Sequence, residues 1–210
     1  MALATAGMVG ALSGCVPLVV GGGMATAALS AADRRTTGAQ VEDQGIELRA
    51  SDRIRQAGLG DGVRVNTTSY NRKVLLSGEA RTEKDKQEVE RLVRDVNNVE
   101  GVFNEIEVVP FTSSLTQRGK DSIITTQVKA SLLDAKDLQA SAIKVVTENK
   151  VVYLMGIVTE RESKRAAEIA RGINDVRKVV RLFELTTDEA LANYMPGDGS
   201  PTRAAESGTP

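Results

Sequence analysis

The chain has no histidine, no tryptophan, one cysteine and only six Phe plus Tyr, and no charged residue precedes Asp33. The missing histidine removes the commonest general base, the commonest metal ligand and every Ser-His or Cys-His dyad. Asp and Glu are plentiful, but no pair sits at a spacing that suggests convergence on a substrate. Enzymatic activity, a bound metal and a cofactor are therefore not expected, and neither is a nucleic-acid partner for a chain of net charge −1. With so few rings, any core must be aliphatic. At 210 residues, 41% apolar and 26% charged, the chain fits one or two small globular domains.

The lone cysteine cannot form an intrachain disulfide, and its setting is informative. Leu12-Ser13-Gly14-Cys15 ends a charge-free apolar run in the manner of a lipobox, in which the thiol is alkylated by diacylglycerol and the chain is cut before the cysteine. Cys15 is accordingly the expected lipidation site. Met1 to Leu12 carries no Lys or Arg, so the basic start of a signal peptide is missing, and the true start is expected upstream. The charge-free stretch over 1–32 also permits a transmembrane helix, although Gly7, Gly10, Gly14, Gly21, Gly22, Gly23 and Pro17 make it a poor one. Val16 follows the cysteine where an Asp commonly marks inner-membrane retention, which favours the outer membrane.

A repeat sets the architecture. Ser77-Gly78-Glu79-Ala80-Arg81-Thr82-Glu83 is answered by Met155-Gly156-Ile157-Val158-Thr159-Glu160 with one residue deleted, and Val96-Asn97-Asn98-Val99 by Ile173-Asn174-Asp175-Val176. Between them Val89, Leu92, Val93 and Val96 correspond to Ala166, Ile169, Ala170 and Ile173, the i, i+3, i+4, i+7 stripe of an amphipathic helix. Thr82-x-x-Asp85 and Thr159-x-x-Glu162 are capping boxes at the helix starts, with Asp the weaker partner. Upstream lie hairpin signals, Val63 to Tyr70 with Lys73 to Ser77 and Ile143 to Glu148 with Val151 to Met155, turning at Asn71-Arg72 and Asn149-Lys150. Third strands are expected at Asn104 to Val109 and Val179 to Leu185, and leading helices at about Val41 to Ala57 and Gly119 to Leu133.

The order is α-β-β-α-β twice, an α+β class in which two helices cover one face of a three-stranded mixed sheet. The expected divisions are a signal region over 1–15, a tether over 16–43, domains over 44–112 and 113–186, and a disordered tail over 187–210 with one helical turn near Asp188 to Met195.

The Gly after each hairpin and the spaced valines after each second helix resemble the BON domain, over about residues 44–186. The likeness is strongest in Asp121 to Val128, Glu148-Asn149, Leu154-Met155-Gly156 and Val158 to Glu162. With the lipobox, the chain resembles outer-membrane lipoproteins that carry two such domains. That resemblance implies binding of anionic phospholipid through the first helix of the second domain, a part in envelope integrity, and enrichment at division sites.

Charge agrees with that placement. Residues 46–115 hold 11 Lys plus Arg against 12 Asp plus Glu, a net of −1, whereas 116–186 hold 13 against 9, a net of +4. An anionic bilayer attracts the second domain, at about 1 kcal/mol per basic residue close to the surface. At about 100° per residue, Ile124, Val128 and Leu132 form the buried stripe of the expected helix, and Ile123 points away with Lys120, Thr126, Gln127 and Ala130. The expected lipid-binding set is Lys120, Ile123, Thr126, Gln127, Lys129, Ala130 and Leu133, with Lys136 just beyond it.

The leading expectation is thus a monomeric, non-enzymatic lipoprotein on the periplasmic face of the outer membrane, bound to anionic phospholipid, with envelope proteins as further partners. A periplasmic module that grips protein or peptidoglycan without recognising lipid is the competing one. A cation-sensing role has no cluster of carboxylates and carbonyls to support it.

Overall fold

The computed structural model describes residues 33–60, 62–110 and 115–192. Cys15 and its apolar run, and the tail beyond Ala192, lie outside the described residues.

The first unit runs α1 (Thr37–Gln56), β1 (Val63–Tyr70), β2 (Lys73–Ala80), α2 (Glu83–Arg94) and β3 (Gly101–Val108). The second runs α3 (Leu115–Asp134), a 3-10 turn (Ala140–Ala142), β4 (Ile143–Glu148), β5 (Val151–Thr159), α4 (Glu160–Arg171) and β6 (Lys178–Thr186), and a short α5 (Asp188–Ala192) follows. The double α-β-β-α-β order stands. Thr36 moves the start of α1 to Thr37, ahead of the expected Val41, because its hydroxyl accepts the Ala39 amide at 3.0 Å. At α4 the capping box is complete, whereas at α2 Asp85 accepts from the Thr82 hydroxyl rather than its backbone amide. One methylene fewer leaves Asp short of the amide that Glu162 reaches.

Each sheet is mixed, with the hairpin antiparallel and the third strand parallel to the second (β1-β2-β3 and β4-β5-β6). The hairpin turns hold positive φ at both central residues, Asn71 (49°), Arg72 (62°), Asn149 (49°) and Lys150 (63°), the primed geometry that matches strand twist. Gly78 and Gly156 are required by close approach: a Cβ on either would sit on the carbonyl oxygen of Arg64 or Ala142 across the hairpin.

Helices cover one face of each sheet. Val74, Leu76, Val89, Val93, Ile106, Ile46 and Ala50 fill the first core, and Ile124, Val128, Leu132, Val152, Leu154, Ala166 and Ala170 the second. The other faces pack on each other, with Tyr70, Leu75 and Phe103 of the first unit against Val151, Tyr153, Met155, Val180 and Leu182 of the second. This gives four layers, helices outermost, and explains why nearly all of β2 and β5 is buried.

The seam is ringed by polar pairs. Lys73 meets Glu184 at 2.9 Å, Lys144 meets Glu47 at 2.9 Å, and Arg64 meets Glu148 at 3.2 Å. Several obey an approximate two-fold: Asn71 donates to Glu184 and Asn149 to Glu107, at 3.1 and 2.7 Å. Residues ahead of α1 join the units too. Arg34 donates to both carboxylate oxygens of Glu162 at 2.8 Å and to the Ile157 carbonyl at 2.7 Å.

Candidate membrane-binding face

The candidate site is the outward side of α3, and its direction is set from beneath. Asp121 is 5% exposed and accepts the backbone amides of Asn149 and Lys150, both at 2.9 Å, so the helix is fixed against the β4-β5 turn. Ile124, Val128 and Leu132 continue that buried stripe at 0–2% exposure. With one side committed to the core, the opposite side must face solvent.

All seven residues of the expected set lie there. Lys120, Ile123, Thr126, Gln127, Lys129, Ala130 and Leu133 are exposed, Ile123 at 59% and Leu133 at 71%. Ser122 and Thr126 return their hydroxyls to the Arg118 and Ser122 carbonyls, at 3.1 and 3.0 Å. Their hydrogen bonds are thus satisfied within the helix, and the outward face is less polar than its composition suggests.

Cations predominate on this face, although Asp134 at its end is exposed and Asp175 lies within electrostatic reach of Lys120. Arg118, Lys120, Lys129 and, just past the helix, Lys136 are exposed, and none makes an ion pair among the described residues. The one carboxylate of α3 ahead of Asp134 is Asp121, turned inward to the hairpin. The corresponding helix α1 differs. Val41 and Leu48 are exposed on it at 64% and 69%, but among Glu42, Arg49, Asp52 and Arg55, so its surface mixes both signs.

No helix among the described residues is long and apolar enough to cross a membrane, and no described group of His, Cys, Asp or Glu is arranged to hold a metal ion.

Helical periodicity does not announce the role of Asp121 in orienting α3. Asp43 on α1 does the same work, accepting the Asn71 and Arg72 amides at 2.7 and 2.8 Å and the Ser69 hydroxyl at 2.6 Å. The signal is present in the repeat, since Asp43 and Asp121 each stand 28 residues before the Asn that opens the turn. The Arg34 to Glu162 clamp has no counterpart in any repeat and left no such signal.

Residues 42–110 and 120–187 each match the BON domain family. The chain is 40% identical to the outer membrane lipoprotein DolP of Haemophilus influenzae, over 82% of this chain and 89% of that one. It is 34% identical to the 21 kDa hemolysin of Actinobacillus pleuropneumoniae, over 72% of this chain and 78% of the other. A shorter stretch of 60 residues, 28% of this chain and 30% of its relative, is 38% identical to the osmotically-inducible protein Y of Escherichia coli. Two matched units and extended identity to a lipoprotein of the same length class place this chain in the BON-domain family, as a tandem, DolP-like member.

Proposed function

We propose that this protein is an outer-membrane lipoprotein, anchored through Cys15, that binds anionic phospholipid with the outward face of α3. It serves envelope integrity there, including at division sites, without catalysing a reaction. The name of the Haemophilus relative supports the location. The observation that carries the lipid reading is the surface of α3, where Ile123 and Leu133 stand exposed amid unpaired cations and no outward carboxylate precedes Asp134.

The energetics favour a tethered contact over a free one. Four basic residues near an anionic surface contribute about 4 kcal/mol, which corresponds to a Kd near 1 mM. Tethering through the Cys15 anchor raises the effective concentration into the same millimolar range. Weak headgroup contacts thus become substantially occupied once the lipid anchor is in place, and inserting Ile123 adds about 1.5–3 kcal/mol at full transfer.

Cosedimentation tests this. A Cys15-less protein is expected to pellet with vesicles containing phosphatidylglycerol and to stay in solution with neutral phosphatidylcholine. Equal behaviour with the two vesicle types overturns the electrostatic reading. Native protein found unacylated at Cys15 overturns the anchor.

A further inference from the structure

Where the two sheets meet, one end of the seam opens into a cleft of about 340 Å³ bordered by both units. Most charges around it are spoken for. Glu107 accepts from Asn149 at 2.7 Å and faces Arg177 at 3.6 Å, and Glu148 accepts from Arg64 and Asn66 at 3.2 and 3.1 Å. Four lining residues are not: the side chains of Glu105, Tyr153, Lys86 and Lys178 have no hydrogen-bond or ion-pair partner among the described residues. Tyr153 is 4% exposed, yet burial and the carboxylates of Glu105, Glu107 and Glu148 push its pKa up, so the phenol remains a neutral hydroxyl. Ser77, the ladder partner of Glu105 on the same face, is fully buried with no partner for its Oγ.

The fold does not require polar residues here. The repeat places Leu75, Met155 and Leu182 at the positions equivalent to Tyr153, Ser77 and Glu105, and these three lie in the apolar part of the seam. A buried hydroxyl and a half-buried carboxylate without partners each cost free energy that an apolar side chain would avoid. Their concentration on one side of an otherwise symmetric interface points to a ligand.

We propose that this cleft binds a small zwitterion bearing a primary ammonium and a phosphate or carboxylate. The ammonium enters, where Glu105 supplies the counter-charge and the Tyr153 oxygen a second acceptor. The anion stays at the border, where Lys86 and Lys178 are the unpaired cations. A cavity of this size suits a molecule of a few heavy atoms more than a whole lipid, so the ligand is either a free zwitterion or the headgroup of a lipid whose tails remain outside.

The test is titration of the full chain with O-phosphoethanolamine, followed by backbone amide NMR. Saturable shifts are expected at Glu105, Tyr153 and Lys178 in the millimolar range, at least about tenfold weaker with ethanolamine or inorganic phosphate alone. Glu105→Gln and Lys178→Glu should each weaken binding about tenfold while leaving the thermal midpoint intact. Vesicles of phosphatidylethanolamine that perturb the same amides, where phosphatidylcholine does not, assign the ligand to a headgroup; perturbation by the soluble compound alone assigns it to a free solute. Absence of saturable shifts with both, shifts unaffected by the two substitutions, or equal binding of phosphate alone overturns the proposal.

Discussion

Arg34 grips Glu162 with two guanidinium hydrogen bonds of 2.8 Å, joining the segment ahead of the first unit to the capping box of the second. Both side chains are nearly buried, at 11% and 7% exposure. Burial opposes the ionised form of Glu162, but the Arg34 hydrogen bonds and charge, with the Thr159 amide and hydroxyl, outweigh it and hold the carboxyl below its usual 4.5. A carboxyl so lowered stabilises the fold while ionised. Its contribution is therefore complete above about pH 4.5 and lost as pH falls through the lower folded-state value. Urea unfolding is expected to show stability declining with acidification in that window, with a shallower decline in Arg34→Ala. At neutral pH, Arg34→Ala should cost about 3 kcal/mol, because it strands a buried carboxylate; equal stability of the two proteins at pH 7 would show the clamp to be idle.

Asp121→Ala leaves the Asn149 and Lys150 amides without their acceptor, an expected loss of about 2–4 kcal/mol. Asp43→Ala should cost more, since Ser69 and Arg35 lose the same carboxylate. Chemical denaturation of the two variants side by side checks the order.

Gly156→Ala sets a Cβ against the Ala142 carbonyl and should cost about 3 kcal/mol or more, or abolish folding of the second unit. Gly58→Ala is the control. Its φ of +61° lies over open space, so only backbone strain of about 1 kcal/mol is expected. Calorimetric melting distinguishes the two.

On α3 the two faces should separate cleanly. Leu132→Ala, at a position 1% exposed, is expected to cost about 2–5 kcal/mol of stability. Ile123→Glu, at 59% exposure, should leave the melting midpoint within about 1 °C. In vesicle cosedimentation Ile123→Glu should instead weaken binding by about tenfold or more, and binding of the unaltered protein should fall as salt is raised. If Ile123→Glu pellets as before, the lipid contact lies elsewhere.

Much of this molecule was legible in its residues because the relevant forces are local or repeated. Helical stripes at Val89-Leu92-Val93-Val96 and Ile124-Val128-Leu132 need only a period to be recognised, and a turn such as Asn149-Lys150 announces itself by residue type. The outward direction of Ile123 follows from the same arithmetic. Strand ends were less legible: β2 and β5 extend beyond Ser77 and Met155, to Ala80 and Thr159, because Gly78 and Gly156 interrupt the pattern while the backbone keeps its ladder past the close approach.

The sequence by itself determined two α-β-β-α-β units, the buried stripes of α2, α3 and α4 and the positive charge balance of the second unit, since periodicity and charge count depend on neighbours along the chain. Tertiary structure alone decided that the bare faces of the two sheets close on each other and that Arg34 reaches across to Glu162, and it gave the repeated Asp43 and Asp121 their work as hairpin locks. The Arg34 pairing joins residues 128 positions apart, and partners so distant are selected by shape and desolvation once the sheets meet, which no local pattern encodes.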